Sequence, residues 1–293
     1  MATEVLLQIL FWGLYAGCIY ILLATGLTLI FGVMKIVNFA HGELLMLGAY
    51  TTYWAVTFFD INPYLGILIS MIVLALLGIA IQRLCFQPIY GTGKLNEIFL
   101  SMGLIYVIQN TAAYIWSDDW RSIQSPYQEK AIPLQSINLP FDYLIIIIVT
   151  ILMLLGLYIF LKTTSTGRAL RATSENRIAA LLVGIDVKKM DMLAFALGSS
   201  LAAAAGTLWA VSGQLFNPYM GSIPAIKAFA IIILGGLGSI SGAVVGGMVY
   251  GIAENMAAYF LGGDWKDAIA FVILILILIV RPEGIFGEKE VVK

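Results

Sequence analysis

The sequence predicts an all-α polytopic membrane protein with eight or nine transmembrane helices. Hydrophobic residues make up 61% of the chain and charged residues only 11%, whereas soluble domains contain about 45–50% and about 25% of these classes. So few charges cannot solvate the whole surface of a folded chain in water, so part of that surface must face lipid. A spanning helix needs about 20 mostly apolar residues. Long apolar runs occur at residues 5–34, 39–59, 64–82, 98–116, 141–161, 192–212, 228–261 and 267–280.

The run at 228–261 is too long for one untilted span. Its interior contains Gly235, Gly236 and Gly238 in close succession. This composition predicts a short broken helix near 228–242, a bend, and then a full helix. A second broken or re-entrant segment is predicted near 32–43, where polar residues interrupt the apolar sequence.

Charge placement predicts the orientation, because cytoplasmic loops of membrane proteins collect lysine and arginine. The loop at 162–191 holds six of the sixteen cations, so we place it in the cytoplasm and the N-terminus outside. With nine crossings, twelve cations lie inside and four, including Lys227 and Lys266, lie outside; with eight crossings the numbers are ten and six. This asymmetry favours nine crossings.

Composition and missing motifs exclude several function classes. A net charge of −1 gives no electrostatic basis for a nucleic-acid partner, and a single histidine, His41, excludes a multi-histidine metal site. The two cysteines are far apart and form no CxxC motif. The sequence at 91–94, GTGK, lacks the leading glycine and the final serine or threonine of a phosphate-binding loop. No catalytic residue and no metal ligand is therefore predicted.

Polar residues in apolar sequence mark the first candidate site. Asn38, His41 and Glu43 lie between Gly32 and Tyr50 in otherwise apolar sequence. Ionisable groups at membrane depth are costly and usually functional, and a discontinuous helix offers polar backbone groups to a solute. The alternative is an ordinary turn between two spans, with Asn38 as a helix N-cap.

The glycine-rich bend is the second candidate site. It ends in Ser241-Gly242, and a tyrosine follows Gly242 after eight residues, as Tyr50 follows Gly42. This match hints at an internal duplication. Glu254 lies about three turns into the following helix and is predicted to face the bundle interior. Small-xxx-small patterns at Gly13, Gly242 and Gly247 indicate close helix packing.

The loop at 162–191 is predicted to dock a cytoplasmic partner. It contains nine of the 33 charged residues. A helix is predicted over 168–183, with Gly184 as its C-cap and Asp186 as the cap of a second short helix. Arg168, Arg171 and Glu175 share one face, and the opposite face carries Leu170, Ser174, Ile178 and Leu181 with Arg177 at its edge. A membrane-surface helix is the weaker alternative, because the apolar face is small and lacks aromatic residues.

Four motifs together resemble a known family. They are GLTLIFGVMKIVNFAHGE at 26–43, GRALRA at 167–172 with Ala179-Ala180 and Gly184-Ile185, LGGLGSISG at 234–242, and RPEGIFG at 281–287. The chain resembles the shorter of the two paralogous permease subunits of branched-chain amino acid ABC importers. Permeases of urea and short-amide importers are closely similar to this family, so the resemblance leaves the substrate open between these classes.

The resemblance implies a single transmembrane permease domain over 1–293 in a prokaryotic plasma (inner) membrane. The implied partners are a second permease subunit, two cytoplasmic ATPase subunits that bind ATP and Mg²⁺, and an external solute-binding protein; this chain is expected to hold no cofactor. We expect ATPase coupling to involve Gly167, Arg168, Arg171, Ala172, Glu175, Asn176, Ala179, Ala180, Gly184 and Ile185. We expect the translocation pathway to involve Asn38, His41, Gly42, Glu43, Gly235, Gly236, Gly238, Ser239, Ser241, Gly242 and Glu254.

Three other functions are compatible with a multispanning chain. An ion-coupled secondary transporter would transport alone and without ATP, and Glu43 and Glu254 could serve it, but the loop at 162–191 would then be unexplained. A solute channel would give passive, non-saturating flux. A membrane enzyme is disfavoured because no nucleophile–base or metal motif is present.

Overall fold

A computed structural model describes residues 2–128, 130–134, 137–281 and 283–287. Its helices are α1 (Ala2–Met34), α2 (His41–Phe59), α3 (Gly66–Ile81), α4 (Lys94–Trp116), α5 (Phe141–Thr163), α6 (Ser165–Glu175), α7 (Arg177–Leu182), α8 (Val187–Val211), α9 (Ser222–Gly235), α10 (Ile240–Leu261) and α11 (Ala268–Val280). A π-helical turn, Gln82–Phe86, continues α3 as far as Ile89. One short antiparallel hairpin, β1 (Ala131–Leu134) and β2 (Ile137–Pro140), departs from the predicted all-α fold.

Six helices in the described part of the chain are long and apolar enough to cross a membrane. They are α1, α3 with its extension, α4, α5, α8 and α10. The remaining apolar helices are shorter or more polar: α2 has 19 residues, α9 has 14 and α11 has 13. At 1.5 Å per residue, α9 is only about 21 Å long, which is less than the hydrocarbon thickness of a bilayer.

The bundle centres on α1 and α8, which cross antiparallel at a reciprocal glycine contact. A Cβ atom added at Gly26 would lie 2.6 Å from the carbonyl oxygen of Gly198, and one added at Gly198 would lie 2.7 Å from that of Gly26. Only glycine allows two backbones to approach this closely. Both helices are largely enclosed by the rest of the bundle.

Glycine patterns predicted from the sequence form the contact between α1 and α10. A Cβ atom at Gly13 would lie 2.7 Å from the Cα atom of Ile252, and one at Gly17 would lie 3.0 Å from the Gly247 carbonyl oxygen. Gly251 in turn packs on Gly13 and Gly17. The two small-xxx-small patterns therefore pack against each other, as van der Waals association in lipid requires.

The predicted bend in the long apolar run is present. The helix before it is α9, which ends at Gly235, and the helix after it is α10, which begins at Ile240. The two helices run antiparallel. Gly235 packs on Gly242, while Ile231, four residues before Gly235, packs on Gly246, four residues after Gly242. The turn between them follows from the positive φ angles of Gly236 (103°) and Gly238 (87°), which residues with a side chain rarely adopt.

The loop after α4 lies at the end of the bundle that carries the β1–β2 hairpin, which we call the hairpin end. This loop contacts the segment that precedes α9. The backbones of Arg121 and Phe216 exchange two hydrogen bonds, of 2.9 and 3.0 Å. The Arg121 guanidinium lies 5.1 Å from the Tyr53 ring centroid and donates to the carbonyl oxygen of Trp116 at 2.7 Å. These contacts hold the segment at 212–221 against α2 and α4.

Candidate functional site

Two half-helices begin at the same point inside the bundle. A Cβ atom added at Gly42 in α2 would overlap the Gly221 carbonyl, and one added at Gly221, just before α9, would overlap the Gly42 carbonyl. The segment before α2 runs beside α9, since the Phe39 and Phe229 rings lie 4.8 Å apart. The segment before α9 runs beside α2, since the Phe216 and Tyr50 rings lie 5.2 Å apart. We call this meeting of the two amino termini the half-helix junction.

The half-helix junction lies deep in the bundle. His41, the first residue of α2, bonds through Nε2 to the carbonyl oxygen of Leu23 at 3.2 Å. Leu23 is eleven residues before Met34, the last residue of α1, and this distance is about 16 Å along a helix. The chain after Met34 therefore re-enters the bundle before α2 begins, as predicted for residues 32–43.

The Glu43 carboxylate occupies the half-helix junction. Gln109 in α4 donates through Nε2 to Glu43 Oε1 at 2.9 Å and to Ser222 Oγ at 3.0 Å, so it links both half-helices. Glu43 is 1% exposed, and its Oε2 atom has no hydrogen-bond partner. Two helix amino termini supply positive partial charge here, and this charge favours an anionic group at the junction.

Asn38 and His41 are buried beside the junction. Asn38 Oδ1 accepts a hydrogen bond from the Ala40 amide at 3.1 Å, so Asn38 forms a turn and is not the N-cap of α2; that position belongs to Ala40. His41 is 1% exposed, and its Nδ1 atom has no partner. The alternative in which Asn38 is the N-cap is therefore wrong, because the cap and the helix start lie two residues further along the chain, at Ala40 and His41.

The second predicted site surrounds the α9–α10 turn. Ser239 Oγ caps α10 by accepting from the Gly242 amide at 3.0 Å, and its hydroxyl lies 3.2 Å from that of Ser241. The chain at 283–287 seals the turn, since the Ile285 and Phe286 amides donate to the carbonyl oxygens of Leu234 and Gly235. Gly235, Gly236 and Gly242 are buried, whereas Gly238, Ser239 and Ser241 are partly or fully exposed.

The two predicted pathway segments touch at the end of α1. A Cβ atom at Gly32 would lie 3.7 Å from the carbonyl oxygen of Gly238. The contact is at the turn, whereas Gly42 packs on Gly221 and not on Gly242. In space α2 is therefore paired with α9, which is a separate matter from the internal duplication that the Gly-to-Tyr spacing suggested.

A buried ion pair joins α9 to α10. Lys227 Nζ lies 2.6 Å from Glu254 Oε1 and 2.7 Å from Asp267 Oδ1, and Tyr20 donates to Glu254 Oε1 at 3.3 Å. The side chains of Lys227 and Glu254 are 5% and 0% exposed. Glu254 faces the bundle interior as predicted, and Lys227, which the charge count assigned to the outer side, is a buried residue of α9.

The coupling segment, residues 162–191, is held by three capping side chains. Thr164 Oγ1, Asn176 Oδ1 and Asp186 Oδ1 accept from the amides of Gly167, Ala179 and Lys189. The Lys189 amide and ammonium groups hold the pKa of Asp186 below its ordinary value, which keeps this cap ionised. The predicted single helix over 168–183 is wrong, because Asn176 ends α6 and caps α7.

The end of α7 follows the prediction. The Gly184 amide donates to the Leu181 carbonyl and the Ile185 amide to the Ala180 carbonyl, both at 3.0 Å, which is the Schellman arrangement. Gly184 supplies the positive φ of 84° that this arrangement needs. The helix that Asp186 caps is wrongly predicted as short, because it is the 25-residue α8.

Arg177 anchors the coupling segment to the bundle. Its guanidinium donates to both carboxylate oxygens of Asp191 at 2.7 and 2.6 Å, reaches the Val33 carbonyl at 3.5 Å and lies 4.4 Å from the Tyr90 ring centroid. Partial burial disfavours the charged form, but the hydrogen bonds and charge of Asp191 outweigh it and raise the pKa of Arg177. Arg177 therefore joins α7 to the ends of α1, α3 and α8.

Breaking the Arg177–Asp191 pair should loosen the coupling segment. Asp191 is 5% exposed on its side chain, so Arg177→Ala leaves a nearly buried carboxylate without its partner, which costs roughly 3–5 kcal/mol. We expect faster proteolysis within residues 165–186 in the membrane-embedded protein, measured by mass spectrometry of the released peptides. As a control, Lys189→Ala removes only the exposed pair with Asp186 and should leave the cleavage rate unchanged. Equal cleavage in wild type and Arg177→Ala would contradict the anchoring role.

The surface of the coupling segment that faces away from the bundle carries both charged and apolar residues. Arg168, Arg171 and Glu175 are all exposed. Leu170 is 1% exposed and packs into the core, whereas Ile178, Leu181, Leu182 and Val183 are 57–83% exposed. The predicted apolar face therefore divides at Asn176, and its α7 part remains uncovered.

The structure brings together only part of each predicted set. His41, Gly42 and Glu43 share the half-helix junction, while Glu254 lies in the ion pair and residues 235–242 form the turn. Four contributors were missed: Gln109, Ser222, Lys227 and Arg177 were not predicted as site residues. Polarity in apolar sequence marks Gln109 and Lys227 in the way that it marks Glu43, but their partners are 66 and 27 residues away.

Comparison with known proteins identifies the class to which this fold and these sites belong. The sequence pattern of the family described as "Branched-chain amino acid transport system / permease component" matches residues 9–278. The high-affinity branched-chain amino acid transport system permease protein BraD of Pseudomonas aeruginosa is 35% identical, covering 98% of this chain and 97% of that one. The corresponding LivH protein of Escherichia coli K12 is 33% identical over the same shares.

A more distant relative is the LivM permease protein of the same Escherichia coli system, 25% identical over 91% of this chain and 67% of that one. The chain therefore belongs to the branched-chain amino acid ABC transport permease family. Within it, the chain is of the shorter, LivH and BraD type, which confirms the family resemblance of the four motifs. It is a multi-pass membrane permease of a family that is not catalytic and carries no cofactor.

Proposed function

We propose that this chain transports branched-chain amino acids across a prokaryotic plasma membrane as one of two unlike permease subunits. The curated relatives, 33–35% identical over nearly the whole chain, carry this substrate in their names. The second subunit is of the LivM type, because that paralogue belongs to the system of the LivH relative. Two cytoplasmic ATPases and an external solute-binding protein complete the importer and supply the ATP hydrolysis and the substrate.

We propose nine crossings with the N-terminus outside and residues 162–191 in the cytoplasm. The contacts at the half-helix junction support this count, because residues 35–40 with α2, and residues 212–221 with α9, each combine an irregular half with a helical half. Irregular backbone at membrane depth is tolerated where protein covers it. The remaining crossings are α1, α3, α4, α5, α8, α10 and α11, and residues 1–293 form one permease domain.

The observation that best supports the transport mechanism is the half-helix junction. Discontinuous helices that meet at mid-depth leave backbone groups able to bind a solute or to change partners. Here α2 carries Glu43 and α9 carries Ser222, with Gln109 bridging them. We propose that separation and closure of this junction, with Asn38, His41, Gly42 and Glu43 on its α2 side, accompany each transport cycle. We propose that the turn at 235–242 and Glu254 form the side of the translocation pathway opposite the α2 side of this junction.

Glu43→Ala should impair transport more than Glu43→Gln. The alanine variant removes one of the two acceptors of the buried Gln109 amide and leaves only Ser222 Oγ, at a cost of about 1–3 kcal/mol, which corresponds to roughly 5- to 150-fold. Uptake of radiolabelled L-leucine into proteoliposomes that contain the complete importer measures the effect. Glu43→Gln keeps an acceptor at the same place and should retain most activity. Unaltered uptake with both Glu43→Ala and His41→Ala would remove these two positions from the mechanism.

The coupling segment is proposed to dock the ATPase subunits. Its exposed charged face (Arg168, Arg171, Glu175) lies next to the uncovered apolar surface of α7 (Ile178, Leu181, Leu182, Val183). Gly167, Ala172, Asn176, Ala179, Ala180, Gly184 and Ile185 set the shape of this surface through the caps described above. An ATPase that binds here could move α1, α3 and α8 together, since Arg177 joins all three.

Arg171→Glu should uncouple ATP hydrolysis from substrate. A reversed charge at the dock places like charges across the interface or removes an attraction. We expect substrate-stimulated ATPase activity of the reconstituted complex to fall at least several-fold, with weaker retention of the ATPases on affinity purification. Lys94→Glu, an equally exposed charge reversal at the start of α4, is the matched control. Normal coupling and assembly with Arg171→Glu would show that this face is not the dock.

A further inference from the structure

One face of α4 has an unusual composition for a helix surface in lipid. The exposed large side chains in the middle of α5 are mostly aliphatic: Ile148, Ile151, Leu152, Leu155, Tyr158 and Ile159. The outer half of α4 instead exposes a shallow concave surface lined by Tyr106, Val107, Asn110, Thr111, Tyr114 and Ile115. We call this surface the α4 polar face.

The α4 polar face begins at the level of the half-helix junction. Asn110 directly follows Gln109, whose side chain bonds Glu43 and Ser222, so the exposed Asn110 lies at the same depth. Between the exposed Lys94 and Asn96 at its start and the level of the junction, α4 exposes large apolar side chains, with Phe99 and Met102 67% and 47% exposed. The polar surface therefore extends from the junction toward the hairpin end only.

Lipid is an unfavourable neighbour for this face. A carboxamide or hydroxyl moved from water into hydrocarbon without a partner costs several kcal/mol. Asn110 uses its Nδ2 atom to donate to the Tyr106 carbonyl at 2.7 Å, but the side chain remains exposed. The Tyr114 side chain is 92% exposed. An exposed carboxamide at the depth of Asn110 is stable when water or a polar solute covers it.

We infer that the α4 polar face is a wall of the solute pathway, which receives an α-amino acid from the outer side and passes it to the half-helix junction. The Asn110 amide and Thr111 hydroxyl offer hydrogen bonds to the zwitterionic part of the solute. The Tyr106 and Tyr114 rings offer apolar contact to its aliphatic side chain. The one-sided extension of polarity toward the hairpin end favours a solute over the second permease, which would cover the helix along its length. This inference rests on the proposed transport function.

Thiol accessibility in the complete importer tests the inference. Cys18 and Cys85, both free, are replaced by alanine, and Asn110→Cys, Tyr114→Cys or Ile148→Cys is introduced singly. Ile148 is the matched control because it is 56% exposed on α5 at a similar distance from the hairpin end. The probe is the membrane-impermeant, positively charged reagent methanethiosulfonate ethyltrimethylammonium, with and without L-leucine and the solute-binding protein.

We expect the thiols of Asn110→Cys and Tyr114→Cys to be labelled at least tenfold faster than that of Ile148→Cys. L-leucine with its binding protein should lower the labelling rates of the first two variants at least threefold. Labelling no faster than at Ile148 would overturn the inference, and so would labelling that L-leucine does not slow. A disulfide cross-link from Asn110→Cys to the second permease would also overturn it, in favour of a subunit interface. L-leucine uptake by the same variants keeps the proposed function separate, since uptake without labelling refutes only this inference.

Discussion

Replacement of Glu254 by alanine is expected to destabilise the protein by about 3–5 kcal/mol, because it leaves the Lys227 ammonium charged and buried. Lys227 is 4% exposed and would keep Asp267, whose side chain is 54% exposed, as its one charged partner among the described residues, together with the Tyr20 hydroxyl at 3.4 Å. The Tyr20 hydroxyl would lose its acceptor as well. The midpoint of unfolding in a sodium dodecyl sulfate titration of the purified protein, followed by circular dichroism, measures the loss.

A double variant distinguishes the energetic cost of an unpaired buried charge from the cost of lost packing. Lys227→Met with Glu254→Met removes both charges and fills a similar volume, and such replacements of buried pairs are often neutral or stabilising. We expect the double variant to recover most of the stability that Glu254→Ala loses. If both variants unfold at the same midpoint, the cost comes from lost packing and the ion pair is not the cause.

Local signals predicted the features that depend on neighbouring residues. The glycines at 235–238 predicted the turn between α9 and α10, and the capping types of Asp186 and Gly184 predicted the boundaries around α8. Asn176 carries the same capping preference, but it lies in a run of strong helix formers. These helix-forming neighbours favoured one continuous helix over 168–183, so the break between α6 and α7 was not predicted.

Contacts between distant residues could not be predicted in the same way. Hydropathy marks Lys227 as costly, but the charge count assigned this lysine to an outer loop. Only the position of Glu254, which lies 27 residues further on in α10, shows why a buried lysine is stable there. The match between the tyrosines at 50 and 250 hinted at an internal duplication, and such a match does not say which helices pack together. Backbone contact pairs α2 with α9, and this depends on Gly42 and Gly221, whose surrounding sequences are unlike each other.

Gly42→Ala is expected to have the second large effect, because the added methyl group would overlap the Gly221 carbonyl in a contact between two backbones. Backbone atoms cannot turn aside as a flexible side chain can, so α2 and α9 must separate, at a cost of at least about 1–3 kcal/mol. The matched control is Gly156→Ala in α5, where an added Cβ atom meets nothing within 4 Å. In the control the better helix propensity of alanine should stabilise by about 1 kcal/mol.

The reciprocal contact makes the prediction stricter. Gly221→Ala should cost a similar amount, since its Cβ atom would overlap the Gly42 carbonyl. Once one substitution has separated the half-helices, the second meets a junction that is already open. Residues that share one contact are expected to couple by about 0.5–3 kcal/mol, so the double variant should lose less stability than the two single losses combined. Additive losses in the same sodium dodecyl sulfate titration would mean that α2 and α9 relax independently, and then the half-helix junction could not act as the single element that opens and closes during transport.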